Sequence, residues 1–460
     1  MQGVLYTAGC KGIPRYARIL QRPCPSAGLR QLDRTQGRGW HAPLARTQQR
    51  STPIQLFLIS QKHRPLPAKR SSTQGAQRPP FSPPPIRRAR GRFPSTYWFP
   101  LAAAYGALAL PWSVLAQLGH LAAPPGISSY MGHGHEMLFG FALAVVAGYT
   151  LTPNRRRHSM VLLAIWLCAR VASLGWPTSL AAAALNALFT AGLVAAVAPI
   201  YLRARKWRNR SVAFVLIGLM AAVVSFHAST LLGLGRMGST ALQATVLLLS
   251  ALMFFMGGRI LAPAIAGHIR RKATPLRHVV QGRLEGGVLI CMAAAILSVA
   301  LPAPGAVVAS SAGLLLAAVL TLVRIGRWRI WECRDKPDLL ALLAGYAWLV
   351  IGWVLVAGAF MGGGSVTAAL HAITTGALGT LSWNIMLRTQ LFRSGRGTDA
   401  LIWARLVVPV MALLAVLRIS VPHYTPQWPL LMAAGLWFLC FGILCVLLVG
   451  VALRPYQRDA

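Results

Sequence analysis

From residue 96 to the C-terminus, apolar stretches of about 18 to 25 residues follow one another with only short polar breaks. A helix needs about 20 such residues to cross the hydrocarbon core of a bilayer. In lipid, only helices and closed barrels satisfy their own backbone polar groups, and these stretches are too long for barrel strands. Twelve can be counted, at 97–118, 134–152, 159–176, 179–202, 211–234, 239–266, 284–302, 305–323, 338–361, 366–388, 401–420 and 429–452. The expected fold is all-α, an integral membrane bundle of about twelve transmembrane helices over residues 96–455. Composition agrees: 12% of residues are charged, against roughly 25% in a soluble domain. That excludes an ordinary soluble enzyme. The seven cysteines form no CxxC or CxxCH, which excludes a disulfide scaffold, a zinc ribbon and covalent haem attachment.

The net charge of +38 suggests nucleic acid until its distribution is considered. Residues 1–95 hold 18 of the 46 basic residues, 13 of the 30 prolines and a single acid, Asp33. No helical or strand period runs through them. This basic Pro/Arg-rich stretch is expected to be disordered. It reads as a basic cytosolic tail, an upstream stretch translated from a misplaced start, or an Arg-rich transit or nucleic-acid-binding arm. Aromatic residues are not interleaved at base-stacking spacing, so no nucleic-acid partner is expected. Most of the other basic residues cluster in alternate loops: Arg155 to Arg157, Arg203 to Arg210, Arg270 to Arg283, Arg324 to Lys336, then Arg393 and Arg396, then Arg454 and Arg458; Arg236 is the main exception in the intervening loops. By the positive-inside rule these loops are cytoplasmic, facing anionic lipid of the bilayer. Both termini are then cytoplasmic, as an even number of spans requires.

This topology gives each histidine a depth. His133 and His135 begin the second helix, His227 lies near the outer end of the fifth, and His371 lies just inside the tenth. At 1.5 Å per residue all four fall within roughly 10 Å of the outer boundary. Polar side chains inside a bilayer are costly and mark function. Neutral imidazole suits iron, copper and zinc, and is the usual axial ligand of haem. On a continuous helix His133 and His135 face different ways. They therefore bind two centres or straddle a non-helical turn. Glu136, the only acid in the outer half of any span, sits on the His133 face at i+3. It can orient a ligating imidazole, pair with Arg170, or relay protons. Arg259, in Gly257-Gly258-Arg259, can meet a cofactor carboxylate or a lipid phosphate, or snorkel to the interface.

These residues resemble the NnrS family. The stretch His133-Gly-His-Glu-Met-Leu-Phe-Gly-Phe through Gly148-Tyr-Thr-Leu-Thr-Pro-Asn154 carries the main likeness. Trp166 to Arg170, Arg210 to His227, Gly257-Gly-Arg-Ile260 and Leu370-His-Ala to Thr380 with Met386 and Arg388 follow in the same order. Gly132 stands where the family usually has Trp, and Arg155 follows Pro153-Asn154 where Trp is usual. The resemblance implies a twelve-span haem- and copper-containing protein of the bacterial inner membrane. It implies a link to nitric oxide and nitrosative stress, often beside denitrification. It maps cofactor ligands onto His133, His135, His227 and His371, with Arg170 or Arg259 compensating charge and Glu136 supporting the ligands. The expected small-molecule partner is nitric oxide or a nitrosylated iron species; the residues name no protein partner and leave enzymatic turnover open. A terminal oxidase or nitric oxide reductase core is disfavoured, because no His-His pair is present. The competing class is a twelve-helix secondary transporter or channel without redox metal. Against it stand the lack of a six-plus-six repeat and of a midplane acid pair.

Overall fold

The structure is a computed structural model and describes residues 93–271, 279–301, 303–395, 403–420 and 427–453. The expected disordered extension lies outside them, apart from its last three residues. Among the described residues there is no strand, and twelve helical rods follow one another. They are α1 (Ser95–Gln117), α2 (130–150), α3 (Arg156–Gly175), α4 (Leu180–Leu202), α5 (Trp207–Leu231) and α6 (Gly235–Arg271), then α7 (Gly282–Ala300), α8 (Ala306–Gly326), α9 (Pro337–Phe360), α10 (366–393), α11 (Trp403–Ser420) and α12 (Trp428–Leu453). Nine are long and apolar enough to cross a membrane. The other three are α11 and the two rods α2 and α10, which are broken into shorter α pieces by π-helical segments.

Packing follows a four-helix rhythm. The first helix of each quartet packs on the last of another: α1 on α12, α5 on α4, α9 on α8. The third packs on the fourth: α3 on α4, α7 on α8, α11 on α12. The second helices, α2, α6 and α10, touch one another in pairs. The described chain thus closes on itself as three quartets around three inner helices. A transporter built from two halves would repeat twice instead.

Burial follows from this placement. The apolar window of α6 is 83% buried, whereas those of α7 and α12 are each 28% buried. The outer helices direct Val161, Leu167, Leu188, Ile290, Leu297 and Val446 away from the protein. Such an apolar surface is costly in water and costs nothing against acyl chains. Aromatic side chains fill the seams between rods. Trp98 meets Trp166 edge-on with centroids 5.9 Å apart, and Trp437 meets Phe141 edge-on at 6.0 Å.

The two ends of the bundle differ. At one end α2 and α10 begin and α5 and α11 finish, which gathers the four singled-out histidines. The opposite end carries arginines and nearly all the described acids. There Arg324 is buried against Glu285 at 2.6 Å and stacks on Phe254 and Trp328. Arg388 pairs with Asp338, and Arg208 reaches Glu285 at 3.2 Å.

Candidate metal centre

Both helices that start with histidines are built alike. Ser129 caps α2, its Oγ accepting from the Gly132 amide; Ser365 caps α10, accepting from Ala368. Each cap satisfies an amide that would otherwise be orphaned at a helix start. Six α-helical residues follow and end on His135 and on His371. Each piece then passes into a π segment, Glu136–Ala142 in α2 and Ala372–Gly379 in α10, before α-helix resumes at Leu143 and Thr380. A π segment inserts a residue into the helical turn and re-aims the side chains around it, and such segments concentrate at functional sites. Two of the twelve rods have one, and both begin directly after a histidine.

Glu136, the first residue of the π segment in α2, departs from the sequence-based expectation. It was expected to share the His133 face, but it serves its neighbour instead. The Glu136 Oε1 carboxylate oxygen is 2.8 Å from His135 Nδ1, and Oε2 takes hydrogen bonds from Tyr105 and Arg170. Arg170 also donates to Asn186 Oδ1, while Asn186 Nδ2 donates to Ser173 Oγ at 2.9 Å and to the Ala182 carbonyl at 2.8 Å. Glu136 and Arg170 are 1% and 3% exposed, so the ion pair at the centre of this chain of polar groups is buried within the bundle. Two of the three expected roles of Glu136 therefore coexist: it pairs with Arg170 and it holds an imidazole.

The consequence for His135 is chemical. A carboxylate paired with arginine accepts hydrogen bonds only, so His135 Nδ1 must carry its proton and donate. The lone pair is left on Nε2. That nitrogen lies 3.1 Å from Nε2 of His227. Phe139 and Phe226 pack on the His135 ring with centroids at 5.2 and 5.0 Å, and both histidines are 4% exposed. Without a metal the contact is a hydrogen bond donated by His227 Nε2–H to His135 Nε2. It also fits two neighbouring ligands of one ion. Metal–imidazole bonds are about 2.0–2.1 Å, so two nitrogens on one ion are at most about 4 Å apart. Opposite faces of a haem iron would need nearly that full separation. The observed spacing suits adjacent positions on a small ion instead.

His133 and His371 belong to a second place. Both line a cavity of about 160 Å³ at the same end of the bundle, together with Gln117, Gln243 and Arg418. His371 Nδ1 donates to the Thr367 carbonyl at 2.6 Å, which again leaves the lone pair on Nε2. His133 Nδ1 is buried and has no hydrogen-bond partner among the described residues. The four histidines therefore do not form one cluster. Among the described residues no three His, Cys, Asp or Glu side chains gather as a metal-holding group. His133 and His135, two residues apart on α2, thus have different surroundings: the His227 ring for one and the cavity for the other.

Arg170 is part of the first place. Arg259 joins neither: it donates to Asn209 Oδ1 at 2.6 Å and lies over Phe255 at 4.7 Å, at the arginine-rich end. Asn209 and His227 occupy opposite ends of α5, about 27 Å apart along its axis. Tyr105, Asn186 and Arg418 were not singled out from sequence. Tyr105 lies on a neighbouring helix and nothing in its local sequence marks it, whereas Asn186 did carry a signal as an amide within an apolar span. Arg418 did carry a signal, being a cation at the outer end of a span whose loop has no acid.

Gly140 is the tightest point of the first place. A Cβ there would stand 2.7 Å from Tyr105 Cε1 and 3.0 Å from both Arg170 and Glu136. Gly140→Ala is expected to force these groups apart at a cost of about 1–3 kcal/mol. The checks are the thermal midpoint of detergent-purified protein and any bound metal. An unchanged midpoint would mean that the network yields freely.

The fold and the imidazoles define the class: a multi-helix membrane-type protein with one histidine pair and two cavity-lining histidines at one end of its bundle. The family model described as "NnrS protein" matches residues 94–455, and the chain belongs to the NnrS family. No curated protein matches it.

Proposed function

We propose that this chain is a haem- and copper-binding protein of the bacterial inner membrane, acting in the response to nitric oxide and nitrosative stress. The family is linked to the nitric oxide response and is associated with metal. The observation that carries the reading is the His135–His227 pair: two imidazole nitrogens 3.1 Å apart, one of them fixed in tautomer by a buried carboxylate. This donor set fits copper, for which imidazole is a good ligand and a low coordination number is acceptable. His133 and His371, which both line the adjoining cavity, would be the residues to hold a haem iron. His371 has its Nδ1 proton tied to a backbone carbonyl, the usual arrangement behind a ligating histidine, and His133 presents an unpartnered nitrogen.

When bound, haem supplies a ferrous iron that takes nitric oxide, and copper supplies a one-electron centre. The protein's own part is orientation and exclusion. Glu136 holds the His135 ring and fixes its proton on Nδ1. Arg170 keeps that carboxylate charged, and Asn186 in turn keeps Arg170 in place. Phe139 and Phe226 keep water from the imidazole pair. The basic loops support placing the histidine end on the periplasmic side, with both termini in the cytoplasm. Nitric oxide is small and apolar enough to arrive through lipid or from the periplasm.

The test is an optical spectrum of detergent-purified protein, with pyridine haemochrome and copper analysis on the same sample. Near-stoichiometric haem with a Soret band that shifts on addition of nitric oxide is expected. A colourless, metal-free and well-folded protein, made with ample haem and copper, would transfer the assignment to a transporter or channel.

A further inference from the structure

Among the described residues, one cation facing the outer cavity has no counter-charge. Arg418 lies in the last turn of α11 and lines the same space as His133 and His371. It makes no hydrogen bond or ion pair with any described residue. Nor can the described acids reach it. Glu136 is bound by Tyr105, Arg170 and His135, while Glu285, Glu332, Asp335 and Asp338 sit at the opposite end of the bundle. Residues 421–426, which follow it in the chain, contain no Asp or Glu. A helix C-terminus favours a cation, but that alone does not require one to face two imidazoles.

The walls of the cavity complete the picture. Beyond Arg418 and the imidazoles, much of the lining is apolar, with Met137, Leu138, Phe141, Leu242, Leu378 and Trp437. A guanidinium at the rim of an apolar chamber is suited to a ligand that brings its own negative oxygen, because a carboxylate or oxyanion accepts two parallel N–H bonds from it. The unpartnered His133 Nδ1 offers a further polar group to the same ligand.

We propose that Arg418 is the anchor for an anionic oxygen group of the ligand that fills this cavity. The group would come either from the carboxylate edge of a bound porphyrin or from a small oxyanion such as nitrite. The porphyrin source rests on the haem reading above; the oxyanion source does not. This role replaces the one expected for Arg259, which the fold places at the other end.

The experiment compares wild type, Arg418→Gln and Arg418→Lys in detergent with three probes: iron protoporphyrin IX, its dimethyl ester and sodium nitrite. Porphyrin binding is followed by absorbance and by the rate of loss to a haem scavenger; nitrite binding to haem-free protein is followed by calorimetry. If the anchor holds a porphyrin carboxylate, wild type loses the ester at least about tenfold faster than the free acid, the magnitude expected for one charge-assisted bond. Arg418→Gln then releases both porphyrins alike, and Arg418→Lys recovers part of the difference. If the anchor holds a small oxyanion, the two porphyrins behave alike, while nitrite binds wild type at least about tenfold more tightly than Arg418→Gln. The ester comparison in wild type needs no variant to fold. Equal retention of acid and ester, with equal nitrite affinity in wild type and folded Arg418→Gln, would overturn the proposal. A protein that takes up no porphyrin at all removes the haem reading, and the nitrite measurement then decides the anchor by itself.

Discussion

Replacing Arg170 with Ala is expected to destabilise the protein by about 3–5 kcal/mol, the largest single loss anticipated outside the aromatic core. The reason is the carboxylate left behind rather than the arginine removed. Glu136 is 1% exposed and has Arg170 as its cationic partner, so truncation strands a charge that neither water nor lipid can solvate. Asn186 Oδ1 loses its Arg170 donor in the same step. The double variant Glu136→Gln/Arg170→Leu should be much milder, because it removes both charges and leaves amide and apolar groups of similar size. A thermal or denaturant series in detergent measures both. Equal losses in the single and double variants would falsify the charge argument and point to packing alone.

Single histidine replacements should separate the two metals. His227→Ala removes one member of the 3.1 Å pair and is expected to abolish stoichiometric copper while sparing haem. His371→Ala is expected to do the reverse, because its ring faces the cavity and not the pair. The combined variant should lose both. Glu136→Gln should weaken copper by about 10–100-fold without eliminating it, since it removes the group that fixes the His135 tautomer and leaves the ligands themselves in place. Haem and copper quantified on the same samples provide the readout. Loss of both metals from either single variant, with the fold intact, would mean that all four histidines serve one shared centre.

Much of the architecture could be read in advance because its determinants are local. Each apolar run of the length a bilayer demands corresponds to one rod, with ends displaced by a few residues. The Ser129 and Ser365 caps set where α2 and α10 begin. The common depth of the histidines could also be read, because alternation of spans and rise per residue fix it. Their division into pairs was only half visible. Helical geometry said that His133 and His135 diverge, but not which of them meets His227.

The sequence by itself determined a helical membrane-type chain, the end of the bundle at which the imidazoles gather, and membership of a family through motifs on five helices. Tertiary structure decided the pairing of His135 with His227, the grip of Glu136 on its neighbour, the remoteness of Arg259 and the role open to Arg418. The physical reason is directional. Hydrophobic length and loop charge act on each segment separately and survive in one dimension. A hydrogen bond or a ligand pair requires two side chains from distant segments to point at one spot. Here that aim is set by π segments after His135 and His371 and by the rotation of α5 and α11 against them, neither of which leaves a periodic trace in the chain.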